Sequence, residues 1–183
     1  IDGDRIAFAA HAERYSRRKN DSFLNKELVE DMLSYGKPTE IVWYEKPLLK
    51  SLRRLYSGER PVFDRIRQHL TSVGLGNIPV SVVGHHHAHA AMGYYTSGFD
   101  NAAVIVMDAI GEWNTTTIWK GLGHSLEQVV SVNYPDSFGL FYSAFTQALG
   151  LKPNEEEYIL MGMAALGKPV FSRMIMNDFF EVF

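Results

Sequence analysis

Four of the chain's seven histidines fall within five positions, in the run Gly84-His85-His86-His87-Ala88-His89-Ala90-Ala91. His85 and His89 stand at i and i+4, so a helical segment puts both on one face, about 6 Å apart at Cβ. Two imidazoles on one turn suit a transition metal, because each offers a nitrogen ligand and the helix has already ordered them. At about 3.6 residues per turn, His86 and His87 point away from that face. The plainer alternatives are a polar helix start or the remnant of an affinity tag. Alanines interrupt the run, which lies mid-chain between apolar segments, and both facts argue against a tag.

Two histidines give a metal half a shell, and the best oxygen donor to extend it is Asp108. It is a lone carboxylate where the apolar run Ala102-Ala103-Val104-Ile105-Val106-Met107 ends and a glycine turn begins. The same placement suits an Asx-turn residue. Two histidines and one carboxylate fit iron, zinc or manganese. Gly111 followed by Thr115, Thr116 and Thr117 could wrap a phosphate, since a glycine turn exposes backbone N–H groups and hydroxyls add donors. Three consecutive threonines are also ordinary strand composition. The cluster Glu13-Arg14-Tyr15-Ser16-Arg17-Arg18-Lys19 could hold an anion through its guanidinium forks, or stand as a solvated loop. The sequence carries no Walker phosphate loop, no Gly-x-Ser-x-Gly elbow and no thiol nucleophile.

The elements that must position these residues follow from periodicity and punctuation. Asp2-Gly3 turns into a strand over Arg5 to Ala10. Asn20-Asp21-Ser22 caps a helix over Phe23 to Tyr35, with Leu24, Leu28 and Met32 on one face and Gly36-Lys37-Pro38 as its stop. Glu40 to Glu45 reads as a strand. Lys46 to Gly58 and Pro61 to Val73 read as helices whose stripes, Leu48, Leu49, Leu52, Leu55 and Phe63, Ile66, Leu70, face a core. Ile78 to Val83 reads as a buried strand that Gly84 turns into the histidine helix, ending near Ser97. That order sets the first helical turn at a strand's C-terminal end, where open α/β sheets bind ligands. Ala102 to Met107, Thr115 to Lys120 and Glu127 to Tyr134 read as three antiparallel strands. Pro135-Asp136-Ser137 caps a helix over about Phe138 to Leu149 that Gly150 ends, and Pro153-Asn154 starts another with Glu155, Glu156 and Glu157 in its first turn. Val170 to Phe183 is apolar-rich.

The bulk properties bound the function. A length of 183 residues, 46% hydrophobic and 21% charged, is that of an ordinary globular domain. A net charge of −3 and a pI near 6.2 argue against a nucleic-acid surface. Zero cysteines exclude disulfides and thiolate metal sites, and are compatible with the reducing cytoplasm, the expected location. No apolar run approaches the length of a membrane span, so no membrane partner is expected. The chain opens Ile1-Asp2-Gly3 without an initiator Met and stops in mid-pattern, so it reads as an excerpt, a single lobe over residues 1–183.

Several blocks together resemble one family, the O-carbamoyltransferases of the nodulation and antibiotic-tailoring type. They are Asp2-Gly3 with Ala12-Glu13-Arg14 to Lys19-Asn20-Asp21; His85 to Ala91 with Tyr94-Tyr95-Thr96-Ser97-Gly98-Phe99; Asp108-Ala109-Ile110-Gly111-Glu112-Trp113; Ser137-Phe138-Gly139-Leu140-Phe141-Tyr142-Ser143; and Glu157 to Pro169. The resemblance implies an α/β fold of the actin-like ATPase (ribonuclease H-like) type, a mixed sheet flanked by helices. It implies ATP and a divalent metal, iron or zinc, held by His85, His89 and Asp108. It implies transfer of a carbamoyl group from carbamoyl phosphate, through a carbamoyl-adenylate, to a hydroxyl of a sugar or other small molecule. His86 is the expected catalytic contact to substrate, Gly111, Thr115 and Thr116 the expected cofactor contacts, and Arg14 and Lys19 the expected substrate contacts.

The match has departures. Asn20 stands where the family commonly has a histidine, and the family's first strand, its second lobe and its carbamoyl phosphate-processing domain lie outside the chain. The fragment alone is therefore expected not to turn over. Two other readings stay open at this level: a tRNA threonylcarbamoyl-adenosine-type transferase, which shares the spaced histidines, and a non-catalytic metal- or nucleotide-binding module.

Overall fold

The computed structural model describes residues 1–18, 21, 23–61 and 66–180. They form two compact units, Ile1–Phe99 with Gly111–Trp113, and Asp100–Ile110 with Asn114–Phe183. The expected helices with parallel and antiparallel strands are present, but among the described residues the strands form a parallel two-stranded sheet and an antiparallel three-stranded sheet instead of one mixed sheet. Among the described residues no helix is long and apolar enough to cross a membrane.

In the first unit, the expected opening strand is absent: Asp2 and Arg5 form one isolated antiparallel bridge and residues 6–10 are irregular. A single bridge offers no ladder along which a strand could propagate. Helix α1 (Ala12–Ser16) is followed by α2 (Lys26–Ser34), which starts later than expected because Asn25 is its cap, accepting from the Leu28 N–H at 2.9 Å. Leu28 and Val29 of α2 are buried with Leu70 and Leu75, and Leu24 and Met32 pack against them, as the stripe predicts. Strands β1 (Ile41–Trp43) and β2 (Val80–Val82) pair in parallel, with Ile41 opposite Val80. Both are shorter than expected, and β2 is only half-buried. Phe63 lies outside the described residues. Ile66 and Leu70, on α4 (Ile66–Ser72), are in or against the core as expected.

Helix α3 (Pro47–Tyr56) reverses its expected orientation. Leu48, Leu49, Leu52 and Leu55 are exposed, whereas Ser51 and Arg53 are buried. Periodicity shows which residues share a face, and here acidic partners decide which face turns inward. Buried Glu45 binds Lys50 Nζ at 2.8 Å, and Glu59 lies 3.6 Å from Arg53 and 3.1 Å from Arg54. Lys50→Met leaves a buried carboxylate without that cation. A loss of about 2 kcal/mol is expected, below the ~3–5 of a fully buried pair because Lys50 keeps some access to water, and Glu45→Gln in the same chain should recover much of it in urea unfolding.

In the second unit, β3 (Asn101–Met107), β4 (Asn114–Leu122) and β5 (Ser125–Asn133) form the expected antiparallel meander, with Val106 opposite Thr117 and Ile118 opposite Val130. Along β4, Thr115, Thr117 and Trp119 are buried in strict alternation, the period of a strand with one covered face. Helix α6 (Phe138–Ala148) is capped by the Ser137 hydroxyl, which accepts from the Leu140 N–H at 3.0 Å, and Gly150 follows it in the left-handed region.

Helix α7 (Glu157–Ala164) keeps only Glu157 of the expected acidic turn, because Asn154 has φ +63° and interrupts any helix through residues 153–156. Helix α8 (Ser172–Phe179) ends the described chain. The Ser143 hydroxyl donates to Glu157 at 2.7 Å, and this bond, aided by the Asn154 N–H, holds the Glu157 carboxyl below the usual carboxylate range against a smaller opposing effect of burial. A lowered folded-state pKa stabilises above the unfolded value, and that contribution fades as pH falls through the folded one. Ser143→Ala should therefore raise the Glu157 pKa in an NMR titration and move the acid limb of unfolding to higher pH.

Candidate functional site

Strand β2 leads through Gly84, an extended residue at φ −67° and ψ 147°, into α5 (His85–Ser97), whose bounds match the expected helix. Its inward stripe is His86, Ala90 and Tyr94, at i, i+4 and i+8. That stripe leaves His85 half-buried and His89 exposed on the neighbouring face. Their Nε2 atoms converge to 3.0 Å, with ring planes at 72°. Two ligands at right angles on one ion, about 2.1 Å out, would stand about 3.0 Å apart, and a tetrahedral pair about 3.4 Å. The donor set thus fits a divalent cation. The same spacing also fits an N–H···N bond, so the pair can share a proton or a metal.

His86 is 2% exposed, so the expectation that it meets substrate concerns a ring with almost no surface of its own in this chain. His87 is exposed. Gly111 lies against the rings: a Cβ there would be 3.0 Å from His86 Cδ2 and 3.3 Å from His85 Cβ. Glu112 is buried, and its carboxylate accepts the His85 N–H at 3.1 Å and the Lys46 N–H at 2.7 Å. The Tyr44 ring lies 5.8 Å from that of His85. Within this unit the first turn of α5 is therefore bounded by residues 44, 111 and 112 as well as by its own strand.

In the second unit, Asp108 follows β3, its N–H bound to the Thr115 carbonyl and its Oδ1 accepting the Ala109 N–H at 2.7 Å. The Ser137 hydroxyl donates to the Ala109 carbonyl at 2.6 Å, and Gly139 comes so close that a Cβ would lie 2.5 Å from Ala109 N and Cα. The start of α6 thus braces the turn that carries Asp108. Thr115 is fully buried and its hydroxyl bonds the carbonyls of Val132 and Asp136. Thr116 lines a cavity of about 720 Å³ with Phe138, Phe141, Phe179 and Phe180.

Arg14 is exposed on α1 and lines a cleft of about 490 Å³ with His11, Glu13, Arg17 and Arg18. Lys19 lies outside the described residues. Sequence reasoning missed the role of Glu112, and the available signal was indirect: a glycine N-cap brings no capping side chain, so a buried helix start needs an acceptor from elsewhere. It also missed the second task of Ser137, which caps α6 and holds the Asp108 turn together.

The family described as Carbamoyltransferase N-terminus matches residues 9–183. An uncharacterised protein of Synechocystis sp. is 34% identical over 207 residues, covering 97% of this chain and 34% of that protein. Nodulation protein NolO of Bradyrhizobium diazoefficiens is 32% identical over 100 residues, 55% of this chain and 18% of its own length. Nodulation protein NolNO of Sinorhizobium fredii is 29% identical over 103 residues, 56% and 15% respectively. The chain thus spans about a third or less of the length of these curated relatives.

Proposed function

This chain belongs to the carbamoyltransferase N-terminus family, and from that membership we propose that it forms one wall of a site for ATP- and carbamoyl phosphate-dependent O-carbamoylation of a sugar or other hydroxyl-bearing small molecule. The fold assigned with it is the actin-like ATPase lobe. The observation that supports the reading best is the convergence of the His85 and His89 nitrogens at 3.0 Å in a chain of this family.

The proposal gives His85, His89 and Asp108 the divalent metal, Asp108 on the strength of the family resemblance. When bound, the metal supplies Lewis acidity and a template for the carbamoyl or phosphate oxygens. His85 and His89 contribute neutral nitrogens from a fixed helical turn, and the Ser137 and Gly139 contacts keep Asp108 at one place on its strand. Arg14 and Lys19 are assigned to the phosphate charge, and Gly111, Thr115 and Thr116 to the nucleotide. His86, inward of the pair, is assigned to the substrate side. In the transfer step the acceptor oxygen forms a bond to the carbamoyl carbon, the bond from that carbon to the adenylate oxygen breaks, AMP leaves and the hydroxyl proton is lost.

The test uses the full-length protein with ATP, carbamoyl phosphate and a panel of sugar and polyol acceptors. AMP release that requires carbamoyl phosphate, with one acceptor gaining a carbamoyl mass, is the expected result. Purified protein that carries no metal and forms no AMP under any combination would refute the reading.

A further inference from the structure

Glu112 stands at the meeting of two helix starts. It accepts the N–H of His85, first residue of α5, and the N–H of Lys46, the N-cap residue of α3. Neither helix has a side-chain cap of its own: Gly84 has no side chain, and Lys46 makes no capping bond. A helix start normally takes its cap from the adjacent Ser, Thr, Asp or Asn. Gly84 has a conformation and open space that would admit such a residue, with nothing within 4 Å of a built Cβ. The sequence instead takes the acceptor from a residue 27 positions away and buries it to 5% exposure.

The distant cap does what a local one would not. A serine at 84 would accept from the N–H of His86 or His87, as Asn25 and Ser137 each do three residues on, and would leave the His85 N–H unheld and the helix free to pivot about its own strand. Glu112 ties the backbone of His85 itself to the segment whose Gly111 touches the His85 and His86 rings. One dipeptide thus sets both the depth of the first turn, through the carboxylate, and its rotation, through the close approach at Gly111. The carboxylate also places negative charge at the positive end of the α5 dipole.

We propose that Glu112 is a positioning residue for the metal pair, acting through the backbone of His85 to fix where its imidazole meets that of His89. This rests on the metal reading of the histidines given above. Glu112→Gln keeps the shape and one acceptor oxygen but removes the charge and sets an amide donor against the His85 N–H that Oε2 accepts at 3.1 Å, so it disturbs the position with little change in packed volume.

The test measures zinc affinity and the absorption spectrum of the cobalt(II) form on the full-length protein, together with the melting temperature of the metal-free form. Glu112→Gln is expected to weaken zinc binding by about 10–100-fold, as supporting partners of ligands do, and to change the cobalt spectrum. Gly84→Ser added to Glu112→Gln restores a cap. Recovery of the melting temperature without recovery of zinc affinity or spectrum is the expected outcome and separates positioning from stability. Recovery of all three, or zinc affinity of Glu112→Gln within about twofold of the parent, would overturn the inference. If His85→Ala keeps its zinc, the metal reading fails first and this inference with it.

Discussion

On the proposed function, replacing His85 by alanine in the full-length protein is expected to remove the metal assigned to the pair and to lower the assigned acceptor carbamoylation by at least about 100-fold, since supporting partners of ligands already account for about 10–100-fold. The loss should be steep because His85 is the half-buried member of the pair, held at its N–H by Glu112 and flanked by the Tyr44 ring, whereas His89 is exposed. No neighbouring imidazole can take its place: His86 is turned into the protein and His87 lies away from the convergent face. Elemental analysis of gel-filtered protein and chromatographic assay of product check the two losses separately. His87→Ala is the matched control and should keep metal and activity. A His85→Ala protein with full metal and full turnover would end the assignment.

Gly139→Ala should be strongly destabilising, at about 3 kcal/mol. The added carbon would lie 2.5 Å from two backbone atoms of Ala109 and 2.8 Å from the carbonyl carbon of Asp108. No side chain can swing aside there, so either the first turn of α6 or the Asp108 turn must move as a whole. Intrinsic helix propensity works in the opposite direction, favouring alanine over glycine by about 1 kcal/mol. Gly162→Ala in α7, where a Cβ meets nothing within 4 Å, isolates that term and should be stabilising. Urea unfolding of the two variants, read side by side, distinguishes backbone contact from propensity by sign.

The histidine helix was legible because its signals are local. Gly84 breaks a strand, the i and i+4 spacing needs only helical geometry, and His85–Ser97 carries no competing breaker before Gly98. The three-strand meander was legible for the same reason, its alternation and turns being written in adjacent residues. What escaped was long-range. The inward face of α3 depends on Glu45 and Glu59, which lie outside its heptad pattern, and the cap of α5 comes from Glu112. The late starts of α2 and α7 turn on Asn25 and on the left-handed Asn154, where one residue's conformation overrides the composition around it. Pairing partners decide what becomes a strand, and the opening segment, with a single bridge, has too few of them.

The outward leucines of α3 have a colloidal consequence. Leu48, Leu52 and Leu55 recur at i, i+4 and i+7 beside Leu49 and Tyr56, so their exposed surfaces run together as one strip along the helix. The nearby cations Lys50 and Arg54 are engaged by Glu45 and Glu59, which leaves the strip with little like-charge repulsion to keep molecules apart. Contiguous apolar surface of this kind sets the concentration at which a chain stays dispersed, independently of how well its core is folded. Replacing Leu48 and Leu52 by lysine is therefore expected to raise the concentration at which this chain stays dispersed, with the core untouched.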